Sequence, residues 1–299
     1  MWSIDMVRTA LGGSRRSHGA RAVVTGAGSG IGRAFALELA ARGGEVLCAD
    51  IDKERADETV RLIERTHGRA AHAFFCDVAK RDDVERLAAR AEEIFGGPPT
   101  LVVNNAGVGI GGKPVGEIGF GDWEWALGIN LWGVVHGCEI FAPRLRAAGR
   151  GGIVNVASAA GFAAAPGMAV YNTSKAAVLS LSETMAAELA GSGVAVTVLC
   201  PTFVKTNVVA DGRITSGSSR LAEGLMRMSG FSPERVARGT LDAHDHGRLY
   251  VLPQWDARLV WQLKRTFPAT YTQALGLLNR VLPQDDSAPA PENFVKTGV

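Results

Sequence analysis

Tyr171-Asn172-Thr173-Ser174-Lys175 places a phenol and an ammonium four residues apart, a spacing that sets both on one face of a helix. A phenol with a reference pKa near about 10 is a poor base at neutral pH, so it needs a cation beside it to give up its proton. Tyr–Lys pairs also arise by chance on solvated helices, and their surroundings decide whether they do chemistry. Thirteen residues earlier, Ser158 ends the run Ile153-Val154-Asn155-Val156-Ala157, where its hydroxyl can orient or polarise a substrate oxygen. Asn130, in Gly128-Ile129-Asn130-Leu131, falls in mid-helix, where asparagine is unfavourable by propensity and needs a reason, which a purely structural back-bond could also supply.

A second group of residues suits a dinucleotide. Thr25-Gly26-Ala27-Gly28-Ser29-Gly30-Ile31-Gly32 stands where a predicted strand turns into a helix. Glycines there let the backbone approach a pyrophosphate, and the helix N-terminus faces the negative charge. Asp50 follows about twenty residues later at the end of the next strand, where a carboxylate accepts hydrogen bonds from the adenosine ribose and repels a 2′-phosphate. Neither Ser29 nor Ile51 supplies the cation that a 2′-phosphate wants, although Arg33 or Lys53 could swing nearby. The sequence therefore predicts NAD rather than NADP. Asp52 is the competing carboxylate and reads equally as the N-cap of the next helix.

These residues need a scaffold that brings distant loops together. Short β-branched runs alternate with helical periodicity, the pattern of repeated βαβ units. Strands are predicted over Ala22–Thr25, Glu45–Ala49, Ala71–Cys76, Thr100–Val103, Gly152–Val156, Ala195–Leu199 and Arg248–Leu252. Helices are predicted over Ile31–Arg42, Lys53–His67, Arg81–Phe95, Trp123–Ala147 and Tyr171–Ala190. The expectation is a single α/β domain over 19–254, a Rossmann-type doubly wound parallel sheet of about seven strands with helices on both faces. A flexible segment should precede it over 1–18, with a substrate flap near 202–231, a helical extension over 255–282 and a disordered tail over 283–299.

Across about residues 20–206 these motifs, in this order, resemble the short-chain dehydrogenase/reductase family. The resemblance identifies Lys175 as the cation beside Tyr171, Ser158 as the catalytic serine, and Asn130 as the helix asparagine thought to hold a water linking the lysine to a proton relay. It places Asn104-Asn105-Ala106-Gly107 beside the cofactor, Asp77 and Val78 beside adenine, and Val204 and Thr206 near the nicotinamide amide. Thr202 departs from the glycine usual after that proline. The implied activity is hydride transfer between NAD and a secondary alcohol or ketone, in a homodimer or homotetramer. The rivals are an NADPH-dependent 3-oxoacyl-thioester reductase and a non-catalytic NAD-sensing module; the latter usually lacks the tyrosine or lysine, both of which are present here.

Composition narrows the partners. The 299 residues are 46% hydrophobic, enough for one large core, and 32 basic residues nearly balance 30 acidic ones without long basic runs, so nucleic acid is excluded as an expected partner. Cys48, Cys76, Cys138 and Cys200 lack the spacing of a zinc or redox site and read as buried thiols. No stretch reaches the roughly 18 apolar residues of a membrane span, and residues 1–18 lack a secretory block, which predicts a cytoplasmic protein.

Weaker signals remain. Phe162, Met168 and Phe203, with Leu221, Leu225 and Met226, are expected to border a lipophilic substrate. Trp123, Trp125 and Trp132 read as core packing, and His244-Asp245-His246 as a solvated turn rather than a metal site. The amphipathic, basic stretch 255–282 could cover the substrate pocket, join a subunit or touch a membrane surface, ranked in that order.

Overall fold

The computed structural model describes residues 15–205, 212–215 and 231–281. Seven parallel strands form one sheet: β1 (Arg21–Thr25), β2 (Glu45–Asp50), β3 (Ala71–Phe75), β4 (Leu101–Asn104), β6 (Gly151–Val156), β7 (Val194–Leu199) and β9 (Tyr250–Val251). Their order is β3-β2-β1-β4-β6-β7-β9, so the chain direction across the sheet reverses between β1 and β4. In open α/β sheets the crevice at the carboxyl ends beside such a reversal is where ligands bind.

The central strands are apolar on both faces because both faces are covered. Val23, Val102 and Ile153 pack on one side, and Ala22, Val24, Val103 and Val154 on the other. The crossovers are α1 (Gly30–Ala41), α2 (Lys53–His67) and α3 (Arg81–Phe95), followed by α4 (Phe120–Leu127), α5 (Gly133–Ala148), the short α6 (Ala160–Ala163), α7 (Ala169–Glu188) and α8 (Pro233–Asp245). Asp52 caps α2 by accepting from the Arg55 N–H, the alternative its position had suggested. A two-stranded parallel pair, β5 (Ile110–Gly111) with β8 (Arg213–Ile214), stands apart from the main sheet and was not expected.

The helix predicted over Trp123–Ala147 is in fact two α-helices joined by a π-turn over Gly128–Trp132. Gly133, just past the turn, packs against Val78, whose Cγ2 would stand 2.7 Å from an added Cβ. The widened turn leaves Trp132 53% exposed, which corrects its assignment to the core, whereas Trp123 and Trp125 do pack against Ile110, Ala126 and Val170.

His244-Asp245-His246 is not a solvated turn. His244 and Asp245 lie in the last turn of α8, which packs on α1, and both are buried. Asp245 accepts from the Ser17 N–H at 2.8 Å and from the Ser17 hydroxyl at 2.7 Å, with Arg42 at 3.4 Å. Ser17, placed by sequence in the leading flexible segment, is thus a buried partner of α8. Beyond β9 the chain continues as α9 (Trp255–Thr266) and α10 (Pro268–Val281).

Candidate active site

A cavity of about 500 Å³ opens at the carboxyl ends of the strands, on both sides of the reversal between β1 and β4. One half is lined by Gly26, Ser29, Gly30, Ile31, Asp50, Asp77 and Val78, the other by Ser158, Tyr171, Lys175, Thr202 and Val204, with Asn105 between them. Residues singled out for cofactor and for catalysis therefore share one space.

The glycine loop is shaped by close packing. Gly26 has φ of +63° and Gly30 of +53°, conformations that disfavour side chains. A Cβ on Gly32 would collide with the Gly26 carbonyl, and one on Gly26 would stand 2.9 Å from Ala106 Cα. Asn105 ties this loop to the end of β4: its Nδ2 donates to the carbonyls of Thr25 at 2.9 Å and Gly26 at 3.2 Å, while its own N–H donates to Thr25 Oγ1 at 3.0 Å. A helix N-terminus reached through glycines at 26 and 30 fits a pyrophosphate.

Asp50 is held by two backbone donors, Gly28 N–H to Oδ2 at 2.8 Å and Asp52 N–H to Oδ1 at 2.9 Å. Neither cation suspected of reaching this corner lines the cavity. Lys53 pairs with Asp57 at 2.9 Å, and Arg33 bonds Thr59, Glu58 and the Gly28 carbonyl. Arg55, which sequence reasoning missed, lines the cavity and pairs with Asp52 at 3.2 Å. Its signal was available: it lies one turn into the helix that Asp52 caps.

At the catalytic end, α7 starts at Ala169 and carries Tyr171 and Lys175 on one face, with the Lys175 ammonium 5.8 Å from the phenol ring centre. Lys175 Nζ donates to the Val156 carbonyl at 3.0 Å, which anchors it to the end of β6. Burial pulls its pKa down to about 8, with the neighbouring Cys200 thiol opposing. Ser158 follows β6, where its Oγ accepts from the Ala160 N–H at 3.1 Å and can donate to the Pro201 carbonyl at 3.4 Å. Burial pushes the Tyr171 phenol up, and a hydrogen bond with Ser158 opposes this. In this state the phenol is protonated at neutral pH, because burial disfavours the phenolate more than the Ser158 hydrogen bond favours it.

Asn130 sits fully buried in the π-turn behind these groups and bonds Val108 and Ser174. Asn104 Nδ2 donates to Asn155 Oδ1 at 2.9 Å between β4 and β6, and Asn155 donates to Ser182 at 3.0 Å, a buried polar seam that fixes the two strands and α7. All four cysteines are free and buried, with burial pushing each thiol up to about 12.

The expected substrate wall is not assembled as the sequence suggested. Phe162 turns away from the cavity on α6 and packs edge-on against Trp261 at 4.9 Å, because α9 covers that face of the turn. Phe203 does not line the cavity, and its carbonyl accepts from Gln254 at 3.2 Å. Met168 lines a separate cavity of about 330 Å³ with Ile110, Ile118, Val170 and Ile214. Trp125, assigned from sequence to core packing, also lines the main cavity, as does Ile129, and Arg213 stacks on Trp125 at 4.2 Å. Thr206, Leu221, Leu225 and Met226 lie outside the described residues.

Known proteins resemble this chain in sequence and fold. Residues 20–216 match the family described as short chain dehydrogenase. EphD of Mycobacterium tuberculosis is 36% identical over 230 residues, which are 74% of this chain and 38% of EphD, so the chain spans well under half of that relative. A short-chain dehydrogenase/reductase of Burkholderia phymatum, solved in complex with NAD, superposes with a TM-score of 0.74 at 33% identity, over 90% of this chain and 97% of that one. A short-chain dehydrogenase of Sphingobium yanoikuyae, solved in complex with NADPH, gives a TM-score of 0.69 at 26% identity, over 89% of this chain and 98% of that one.

Proposed function

This chain belongs to the short-chain dehydrogenase/reductase family, and from that premise we propose that it is an NAD-dependent oxidoreductase acting on a secondary alcohol or ketone of lipophilic character. The observation that carries the reading is the shared cavity: Ser158, Tyr171 and Lys175 line the same space as Gly26, Ile31 and Asp50. The nicotinamide group, when bound, supplies the hydride donor or acceptor.

The protein's own residues supply position and the proton. In the reductive direction Ser158 and Tyr171 hold the carbonyl oxygen, and the Tyr171 hydroxyl gives its proton to that oxygen as it gains negative charge. Lys175, fixed through Val156, offsets the charge left on the phenol. In oxidation Tyr171 takes the proton back by the same path. Gly26, Ser29, Gly30, Ile31 and Gly32 would receive the pyrophosphate, and Asp50 the adenosine ribose, with Asp77 and Val78 beside the adenine. Val204, Thr206, Asn105 and Asn130 complete the proposed set.

Support for NAD is the Asp50 carboxylate at the mouth of the glycine loop, 2.8 Å from the Gly28 nitrogen. Arg55 on the same wall favours a second reading, NADPH-dependent reduction of a 3-oxoacyl thioester. Cytoplasmic location and a homodimer or homotetramer complete the proposal.

One assay tests it. Turnover is followed at the reduced-nicotinamide absorbance band with NAD or NADP and a graded panel of secondary alcohols, for the native protein and Tyr171→Phe. Turnover with NAD that collapses in the variant is expected; tight NAD binding without turnover on any alcohol or ketone would leave the sensing module as the better reading.

A further inference from the structure

The outer face of α9 and α10 belongs to no site described so far. Trp255, Leu259 and Leu263 recur every four residues along α9, and Phe267 continues the row; they are 75%, 49%, 42% and 59% exposed. Leu277 and Leu278 add apolar surface on α10 at 63% and 54% exposure. Helical spacing sets Arg258 and Arg265 along one flank of the α9 row, with buried Ala257 on the opposite side.

Charge on this stretch is mainly basic. Residues 255–281 hold Arg258, Lys264, Arg265 and Arg280 against a single acid, Asp256. Asp256 is occupied, accepting from the Thr202 hydroxyl at 3.2 Å and from the Ala257 N–H at 2.9 Å. The Arg265 guanidinium stacks on Trp261 at 4.1 Å beside Tyr250, whose hydroxyl donates to Glu183 at 2.7 Å, Arg258 Nε donates to the Leu252 carbonyl at 2.8 Å, and Lys264 lies over Tyr271 at 5.6 Å. Among the described residues none of the four forms an ion pair.

An exposed apolar row flanked by unneutralised arginines matches a partner that is apolar within and anionic at its surface. We propose that this face docks on an anionic lipid bilayer, with Trp255, Leu259, Leu263 and Phe267 entering the boundary between headgroups and acyl chains and Arg258 and Arg265 meeting lipid phosphates. A second copy of this chain is a poorer fit. Antiparallel pairing of two α9 helices about their middle sets Arg258 of each copy against Arg265 of the other, like charges across a desolvated contact. Among the described residues no helix is long and apolar enough to cross a membrane, so the contact lies in the interfacial plane. Because α9 begins at the cavity rim, through the bonds of Thr202 to Gln254 and Asp256, docking brings that rim to the lipid.

The test is co-sedimentation of the full chain with vesicles of phosphatidylcholine alone or mixed with phosphatidylserine, at low and high salt. Binding is expected only with phosphatidylserine, weakening with salt, and falling by at least about tenfold in Leu259→Asp/Leu263→Asp and in Arg258→Glu/Arg265→Glu. Retained NAD binding shows that the variants are folded. The proposal is overturned by absence of binding to either vesicle, or by binding that both variants leave unchanged. It is equally overturned if Leu259→Asp/Leu263→Asp converts a native oligomer to monomer without affecting vesicles, which would make the face a contact between copies.

Discussion

Asn130 holds both backbone groups of Val108: the Val108 N–H donates to Asn130 Oδ1 at 2.8 Å, and Asn130 Nδ2 donates to the Val108 carbonyl at 2.9 Å. This clamp ties the π-turn to the segment after β4. Gly107 lies directly beside it, where an added Cβ would stand 3.0 Å from Asn130 Oδ1 and 3.4 Å from Lys175 Nζ. The side-chain amide thus spends its main hydrogen bonds on the wall that faces the lysine.

Removing the clamp therefore has a stability cost as well as a kinetic one. Asn130→Ala leaves two part-buried backbone groups without their partner, a loss of about 1–3 kcal/mol in chemical unfolding. Asn130→Asp keeps the acceptor for the Val108 N–H but buries a carboxylate whose second oxygen faces the Val108 carbonyl, so it should destabilise at least as much as Asn130→Ala. Under the proposed function kcat falls in the same order. If Asn130→Ala unfolds at the native denaturant midpoint, the clamp does not matter to the fold.

The Tyr171–Ser158 contact predicts a shift in a pH profile. Burial raises the Tyr171 pKa and the Ser158 bond lowers it, so removing Ser158 leaves burial unopposed. Proton donation to a carbonyl substrate then persists through neutral pH and declines only on the alkaline side. In Ser158→Ala that decline moves to higher pH, while the rate itself falls by roughly 10²–10⁴. The check is kcat/KM for ketone reduction across neutral and alkaline pH; a limb that stays put or moves downward would disconnect Ser158 from the phenol.

Under the proposed function, cofactor choice turns on Asp50 and Arg55. Asp50→Ala removes the carboxylate that would repel a 2′-phosphate and leaves Arg55 on the same wall. The ratio of NADPH to NADH affinity should rise by about tenfold or more, which corresponds to about 1.4 kcal/mol. Fluorescence titration with each reduced cofactor measures it directly. An unchanged ratio would place the 2′-position elsewhere.

Much of this was legible because the βαβ pattern repeats and each motif falls at a strand end. Gly26, Asp50, Asn105, Ser158 and Tyr171 were locatable since a parallel sheet delivers every carboxyl-terminal loop to one edge. Three features were not. The π-turn was hidden because its apolar residues still fit helical spacing, so Trp132 looked like core. Phe162 looked like a substrate contact because nothing local announces that α9 will fold back over α6. His244 looked solvated because its neighbours Asp245 and His246 are polar, whereas its burial is set by α8 packing against α1 and the sheet, a relation between residues far apart in sequence.

That buried histidine carries the last prediction. Thr197 Oγ1 donates to the Arg248 carbonyl at 2.8 Å, so its 2.9 Å contact with His244 Nδ1 uses the imidazole N–H as donor. Nε2 then keeps a lone pair that has no partner among the described residues, against the Cα of Gly152. Burial, reinforced by Arg16 and opposed by Asp245, lowers the His244 pKa from 6.5 to about 4. Between those values the unfolded chain binds a proton here that the folded chain excludes. Stability therefore rises with pH through this window, is fully present above it, and is lost as pH falls toward 4. The size is of order 3 kcal/mol for a group removed from solvent. His244→Asn offers an amide N–H to Thr197 in place of the imidazole N–H and does not titrate. Its unfolding free energy should be lower at neutral pH but flatter across the window, measured by urea unfolding at several pH values. Equal slopes for the native chain and the variant would show that another group controls acid unfolding.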